Sequence, residues 1–232
     1  MRRTTQAIAA IMLMFATVLV MGCTEKDTTG TESTDDWVDL GLPSGLLWAT
    51  RNVGASSPTD YGNYYAWGET SPKSVYDWST YRYARYNSDE DDYEMTKYTL
   101  SDSLSTLQPG DDVATANYGG RTPTKEEWEE LINNTTSQWV TMNDGVYGRC
   151  FTASNGNSLF LPAAGDRSDS TLENVGSIGV YWSSSLSTIW SSSLNTLGPQ
   201  RAWFCHLTSG SVNGRDPLNR RVGLSVRAVR QP

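Results

Sequence analysis

Cysteine and histidine are scarce in this sequence, which has three cysteines and one histidine in 232 residues. Cys150 and Cys205 are far apart and His206 directly follows Cys205, so no metal-ligand spacing is present. A single histidine without a placed partner gives no basis for a nucleophile–histidine–carboxylate group. Cys150 and Cys205 could pair in an oxidising compartment, but the sequence does not give their distance. We therefore predict no metal, no cofactor and no catalytic residue, and expect that the protein is not an enzyme.

Basic residues are also few: 18 Lys and Arg stand against 26 Asp and Glu, a net charge of −8. If residues 1–22 are removed, 16 basic residues remain and the net charge becomes −10. A chain with this net negative charge repels polyanions. It also has few of the Lys and Arg residues in which phosphate-binding surfaces are rich. Nucleic acid and anionic lipid are therefore excluded as the main partner.

The sequence has no apolar run long enough to span a membrane. Residues 7–21 are apolar except for Thr17, and this length, after Arg2 and Arg3, is typical of the core of a signal peptide. We expect residues 1–22 to be a signal peptide.

The four residues that end this segment, Val-Met-Gly-Cys at 20–23, resemble the bacterial lipobox. The resemblance implies cleavage after Gly22 and acylation of Cys23, whose acyl chains would anchor the protein in a membrane. The alternative is an ordinary secretory signal in which Cys23 occurs by chance.

The segment after Cys23 has no large apolar residue as far as Asp36. It cannot bury enough surface to offset its ordering entropy, so residues 23–36 are interpreted as the acylated cysteine and a flexible tether. Glu25 and Asp27 are similar to the acidic signal that sends Bacteroidetes lipoproteins to the cell surface. We expect a lipid-anchored protein of the outer membrane, displayed outside the cell.

Residues 37–232 suit one domain with a real core. Thr124 and Glu127 form a capping box before Trp128, Leu131 and Ile132, which predicts a helix over residues 125–133. A second, short helix is expected at 113–117, and the acidic run at 89–92 is interpreted as a solvated loop. A hairpin is predicted at 37–48, a short strand or buried extended segment at 64–67, and further strands at 138–142, 147–152, 159–163, 179–184, 201–207 and 222–229. Many short strands with one or two helices indicate the α+β class.

Six segments in one order resemble the Fibrobacter-type major paralogous domain, over residues 37–230. They are Asp-Leu-Gly-Leu-Pro-Ser-Gly-Leu-Leu-Trp-Ala-Thr (39–50), Tyr-Ala-Trp-Gly-Glu-Thr (65–70), Arg-Thr-Pro-Thr-Lys-Glu-Glu-Trp (121–128), Asn-Gly-Asn-Ser-Leu-Phe-Leu-Pro-Ala-Ala-Gly (155–165), Tyr-Trp-Ser-Ser-Ser (181–185) and Ser-Val-Arg (225–227). The resemblance implies a C-type lectin-like fold: a small twisted antiparallel sheet, one or two helices and long irregular loops. The family belongs to cell-surface proteins of anaerobic bacteria and has no established common activity, so the resemblance implies a fold and a setting but no chemistry. Trp48, Trp67, Trp128 and Trp182 are interpreted as core anchors, and residues 155–157 as a hairpin turn.

Residues 186–224 differ from the rest, since apolar residues interrupt a polar stretch without clear periodicity. We expect loops there, with Cys205 and His206 in a loop, although 201–207 is strand-like. Residues 204–224 contain no Lys, Glu, Gln, Met or Trp, whereas these types make up 34 of 232 residues and about three would be expected. Randomising the first two bases of an Asn codon cannot produce these types. The stretch therefore resembles the variable proteins of diversity-generating retroelements, which display randomised residues on a C-type lectin-like scaffold.

The leading hypothesis is a surface-displayed recognition module for an extracellular protein or glycan, an adhesin or receptor-like protein. The hypothetical ligand-binding residues are Tyr181, Trp190, Arg201, Phe204, His206, Arg215, Asp216, Asn219 and Arg220. One alternative is that these loops are merely solvated. Another is a structural envelope or fimbria-tip component. A third is an enzyme of the formylglycine-generating type, which shares the lectin-like fold but needs reactive cysteines; Cys150 and Cys205 lack its motif.

Overall fold

The structure is a computed structural model that describes Cys23 and residues 36–99, 101–187 and 200–232. The expected signal peptide, nearly all of the expected tether and Trp190 lie outside the described residues. Arg215 is described by its backbone alone.

Thirteen strands, two α-helices and one 3₁₀ helix make up the described ranges. The helices are α1 (Val113–Asn117) and α2 (Lys125–Asn134), and the 3₁₀ helix is Pro109–Asp111. The strands are β1 (Trp37–Asp39), β2 (Leu47–Asn52), β3 (Ala84–Asn87), β4 (Asp92–Met95), β5 (Thr135–Thr141), β6 (Tyr147–Ala153), β7 (Ser158–Pro162), β8 (Asp166–Ser168), β9 (Thr171–Glu173), β10 (Gly179–Leu186), β11 (Arg201–Leu207), β12 (Val212–Asn219) and β13 (Arg227–Arg230). The prediction of the α+β class is confirmed at this level, with a strong excess of strand. Neither α-helix within the described ranges has the length and apolar character needed to cross a lipid bilayer.

The strands form small antiparallel sheets. Three of these sheets have three strands each, in the orders β1–β2–β13, β5–β6–β7 and β10–β11–β12, and β3–β4 and β8–β9 are two-stranded. The predicted N-terminal hairpin is confirmed, because Val38 lies opposite Trp48 in the β1–β2 pair. Strand β13 is the third strand of the first sheet and pairs with β2. This pairing brings the N-terminal and C-terminal strands of the domain together.

The β10–β11–β12 sheet separates two hydrophobic cores. Trp182 and Phe204, which lie opposite one another, face the larger core, and Tyr181 and Cys205, the next pair, face the smaller. This alternation follows from the pleat of a β-strand. The four tryptophans expected as anchors are all buried, so that prediction is confirmed.

Helix α2 begins where the capping box predicts. The Thr124 side chain accepts a hydrogen bond from the Glu127 N–H, and the Glu127 carboxylate accepts one from the Thr124 N–H. Trp128 and Leu131 are fully buried against the smaller core, with Ile132 at its edge. The short helix α1 is also present as expected.

The predicted turn at 155–157 and the predicted solvated loop at 89–92 are both found at hairpin tips. Gly156, with a φ of +87°, turns the chain between β6 and β7, in a backbone region that glycine adopts without steric cost. The acidic residues 89–92 lie at the exposed tip of the β3–β4 hairpin, as a solvated loop should.

The expectation of loops through residues 186–224 is wrong for most of the stretch that the structure describes. The strand predicted at 201–207 is confirmed, and Val212–Asn219 forms a second strand paired with it. Cys205 therefore lies in a strand, fully buried, and not in a loop. A strand buried on both faces has no polar–apolar alternation, and a register shift between Phe204 and His206 breaks the period of this hairpin. For these two reasons, the periodicity of the sequence does not show that residues 201–219 form a β-hairpin.

Candidate functional site

Three of the predicted ligand-binding residues, Tyr181, Phe204 and Arg220, are buried in the structure, and their assignment to a binding face is wrong. Tyr181 has no exposed surface, and its hydroxyl donates to the carbonyl oxygen of Pro162 at 2.6 Å. Burial raises the pKa of the Tyr181 hydroxyl, which keeps it protonated as a donor. Arg220 has no exposed surface either. The assignment of all three residues is corrected to a structural role.

The environment of Arg220 explains why a charged side chain is buried there. Its guanidinium carbon lies 5.0 Å from the ring centroid of Trp67 and 5.4 Å from that of Tyr81. It donates to the carbonyl oxygens of Lys97 at 2.9 Å and Tyr98 at 3.1 Å. Aromatic faces and carbonyl oxygens both attract a cation, so they compensate for the hydration that Arg220 loses.

The predicted residues on the β11–β12 hairpin do not share one surface, because neighbours along a strand point to opposite faces. Arg201 lies opposite Asn219, and Phe204 lies opposite Asp216. Residues directly opposite in an antiparallel pair project from the same face, so these two pairs are on different sides of the sheet. Phe204 is buried in the larger core, with His206 half-buried and its ring 6.1 Å away. The side chains of Trp190 and Arg215 lie outside the described structure.

A different surface feature lies beside the same hairpin, where α2 packs against β12. The two elements enclose a groove of about 310 Å³. Its lining residues are Glu129, Ile132, Asn133, Val212, Asn213 and Gly214. We call this the α2–β12 groove.

Gly214 allows the strand and the helix to approach closely enough to form the groove. A Cβ atom at this position would lie 3.2 Å from Ile132 Cδ1 and 3.5 Å from Trp128 Cβ. A longer side chain would therefore push β12 away from α2 or fill the space between them. The glycine keeps the floor of the groove as bare backbone.

Planar polar groups line the groove beside the apolar side chains of Ile132 and Val212. Glu129 supplies a carboxylate, while Asn133 and Asn213 supply amides that both donate and accept hydrogen bonds. Glu129 lies 3.6 Å from the Lys125 ammonium, and the Asn213 amide donates to Asp216 at 3.0 Å. These contacts orient the two side chains. Such a set suits hydroxyl or amide groups of a ligand.

Sequence reasoning missed these six residues for an identifiable reason. Glu129 and Asn133 are spaced i, i+4, which places them on one face of α2. The sequence indicates only that this face is polar. That a strand runs beside it depends on the pairing of β12 with β11, for which the sequence carries no local signal.

The described residues contain no group of three or more Cys, His, Asp or Glu side chains that could hold a metal ion. Cys205 is a free thiol without exposed surface, and burial raises its pKa, so the thiolate needed for nucleophilic chemistry is disfavoured.

Cys23 and Cys150 are joined by a disulfide, with their Cα atoms 5.8 Å apart. The pairing of Cys150 with Cys205, which the sequence left open, is therefore not the one found. A disulfide and a lipid thioether cannot share one sulfur atom. The disulfide and the expected acylation are thus alternative states of Cys23.

Comparison with known proteins found no match to this chain among protein-family models, curated proteins or solved structures. The resemblance to the Fibrobacter-type domain thus rests on the short motifs quoted above.

Proposed function

We propose that this protein recognises an extracellular ligand, a glycan or a protein, through the α2–β12 groove. The observation that carries the proposal is the groove itself, where a carboxylate and two amides lie beside the apolar side chains of Ile132 and Val212 and the backbone of Gly214. Recognition sites commonly combine apolar surface with a few well-placed polar groups. The proposal assigns the protein no catalytic role.

The fold we propose is C-type lectin-like. Its support is the small antiparallel sheets, the two helices, the long connections and the burial of the tryptophans that occur in the family-like motifs. On this proposal the α2–β12 groove lies between helix α2, in the middle of the domain sequence, and a strand of its C-terminal third.

We also propose that the β12 wall of the groove is the part that diversifies. Val212, Asn213 and Gly214 lie within the stretch that lacks five residue types, whereas Glu129, Ile132 and Asn133 on α2 lie outside it. Diversification would then change Val212 and Asn213 on one wall, while the helix and Gly214, which the close approach of α2 requires, stay constant. A near-copy of these codons downstream of the gene, differing mainly at adenines and followed by a reverse transcriptase, would support this; its absence would exclude it.

For location, we propose an outer-membrane lipoprotein anchored through Cys23 and displayed at the cell surface. The support is the signal-like residues 1–22, the lipobox-like residues 20–23 and the polar segment that follows. The anchor would hold the domain at the membrane while the groove faces outward to its partner.

The recognition proposal can be tested by screening the purified full chain against glycan and peptide arrays. A ligand that binds the native chain should lose affinity in Asn213→Ala, which removes one amide from the groove. Gln138→Ala is the matched control, because Gln138 is an exposed amide on β5 outside the groove. Equal loss in both variants, or no ligand at all, would contradict recognition by this groove. A stoichiometric complex with another envelope protein, unaffected by Asn213→Ala, would instead favour the structural-component alternative.

A further inference from the structure

A second concave site lies at the N-terminal end of α2, away from the α2–β12 groove. The chain segment before the 3₁₀ helix, the helix α1, the segment that leads into α2 and the strand β10 enclose a cleft of about 180 Å³. We call this the Ser184 cleft. It shares no lining residue with the α2–β12 groove.

The charged groups of the Ser184 cleft are held by the protein itself. The Asp112 carboxylate accepts hydrogen bonds from the backbone N–H groups of Ala114 at 3.0 Å and Thr122 at 2.8 Å, and from the hydroxyls of Thr115 and Thr122. Arg121 forms a two-pronged ion pair with Glu127. This hydrogen bonding raises the pKa of Arg121, so the guanidinium stays charged and fixed. The carboxylate of Asp112 thus has four donors within the protein, and Arg121 is paired with Glu127, so neither group is left as the main contact for a ligand ion.

Ser184 differs from these groups because its hydroxyl has no partner. Its side-chain oxygen is buried without a hydrogen bond, and the residue is only 3% exposed. Its backbone is fixed on both sides, since its N–H donates to the Pro123 carbonyl at 2.8 Å and its carbonyl accepts from the Leu107 N–H at 2.9 Å. Buried polar groups in native proteins nearly always have a partner, so an exception calls for an explanation. Here the hydroxyl belongs to a residue that lines an open cleft.

We propose that the Ser184 cleft binds a neutral, hydroxyl-bearing small molecule the size of one sugar ring. On this proposal the Ser184 side chain rotates about χ1 on binding and presents its unused hydroxyl to the ligand, while Leu107 and Pro109 supply apolar surface for the C–H face of the ring. The volume of about 180 Å³ equals that of about six water molecules in the liquid, and is below the range of pockets that hold drug-sized ligands. The proposal does not depend on the α2–β12 groove.

The test is titration of the purified full chain with D-glucose, D-galactose, D-mannose and N-acetyl-D-glucosamine, followed by NMR or calorimetry. At least one of these sugars should bind, and Ser184→Ala should weaken that binding about tenfold, the effect of one lost hydrogen bond. Ser225→Ala is the matched control, because Ser225 also has a buried, unpartnered hydroxyl but does not line the cleft. It should leave the affinity unchanged.

Three results would overturn the proposal. The first is that none of the four sugars binds at millimolar concentration. The second is that Ser184→Ala binds as tightly as the native chain. The third is that acetate or inorganic phosphate competes for the cleft more strongly than the sugars, because compensated charges should not favour an anion. The thermal midpoint of Ser184→Ala should not fall, since the variant removes an unsatisfied group; unchanged stability separates lost binding from lost folding.

Discussion

The guanidinium of Arg220 lies 5.0 Å from the ring of Trp67, and both residues are completely buried. Trp67 belongs to one of the family-like motifs, whereas Arg220 belongs to the C-terminal stretch that resembles a variable region. The contact joins these two parts of the chain in one core. A stretch that diversifies must therefore keep Arg220 constant.

Replacing Arg220 with Met should destabilise the domain by about 3–5 kcal/mol, because the carbonyl oxygens of Lys97 and Tyr98 would lose their donor. The measurement is the free energy of unfolding in urea. Arg85→Met is the control, since the exposed Arg85–Glu94 ion pair should contribute less than about 1 kcal/mol. Equal, small losses in both variants would show that the burial of Arg220 is not important for stability.

The carboxylate of Asp111 should make stability depend on pH. Burial raises the pKa of Asp111, but hydrogen bonds from Lys97, Tyr83 and Tyr98 together lower it by a larger amount. The net shift of the pKa is therefore downward. Because the pKa is lower in the folded state, the ionised carboxylate stabilises the fold at pH values above its ordinary pKa of about 4. This contribution is lost as the pH falls through the pKa of the folded state.

The Asp111→Asn variant tests this expectation. Its free energy of unfolding should lie below that of the native chain by about 2–4 kcal/mol at neutral pH. The gap should stay constant down to about pH 5 and shrink below pH 4. Unfolding curves of both proteins between pH 2 and 7 give the gap directly. A gap that persists unchanged at pH 2 would mean that the carboxylate charge contributes nothing.

The state of Cys23 can be read from the number of free thiols. If Cys23 is acylated, as we propose, denatured chain from bacterial membranes should carry two alkylatable thiols, Cys150 and Cys205, without any reductant. If Cys23 is paired with Cys150, as in the structure, only Cys205 should react. Intact mass after alkylation distinguishes the two states. In the folded protein Cys205 should resist alkylation, because burial raises its pKa.

Local signals predicted much of the fold. The capping box of Thr124 and Glu127 gives the start of α2, and the apolar spacing from Trp128 gives its buried face. The turn at Gly156 follows from its neighbours in sequence. Each of these features is formed by residues within a few positions of one another.

Long-range pairing was not predictable in the same way. Arg220 donates to the carbonyl oxygen of Tyr98, 122 positions earlier, so nothing near Arg220 indicates that it is buried. Strand β12 has no regular polar–apolar alternation. A register shift in its pairing with β11 changes which residues face each side of the sheet along the strand. The predicted ligand-binding residues lie mostly on the β11–β12 hairpin, but the structure divides them between two faces and the core. The α2–β12 groove, which depends on this pairing, could not be foreseen.

Blocking the α2–β12 groove shows whether the ligand binds there. Asn133 lines the groove and is exposed, whereas Asn134, the next residue on α2, is exposed but outside it. Asn133→Trp should fill the groove and weaken ligand affinity about 100-fold, roughly 3 kcal/mol, while Asn134→Trp leaves it unchanged. Native-like circular dichroism in both variants confirms that each is folded. If Asn133→Trp binds the ligand as tightly as the native chain, the ligand does not occupy the groove and recognition by this groove is excluded.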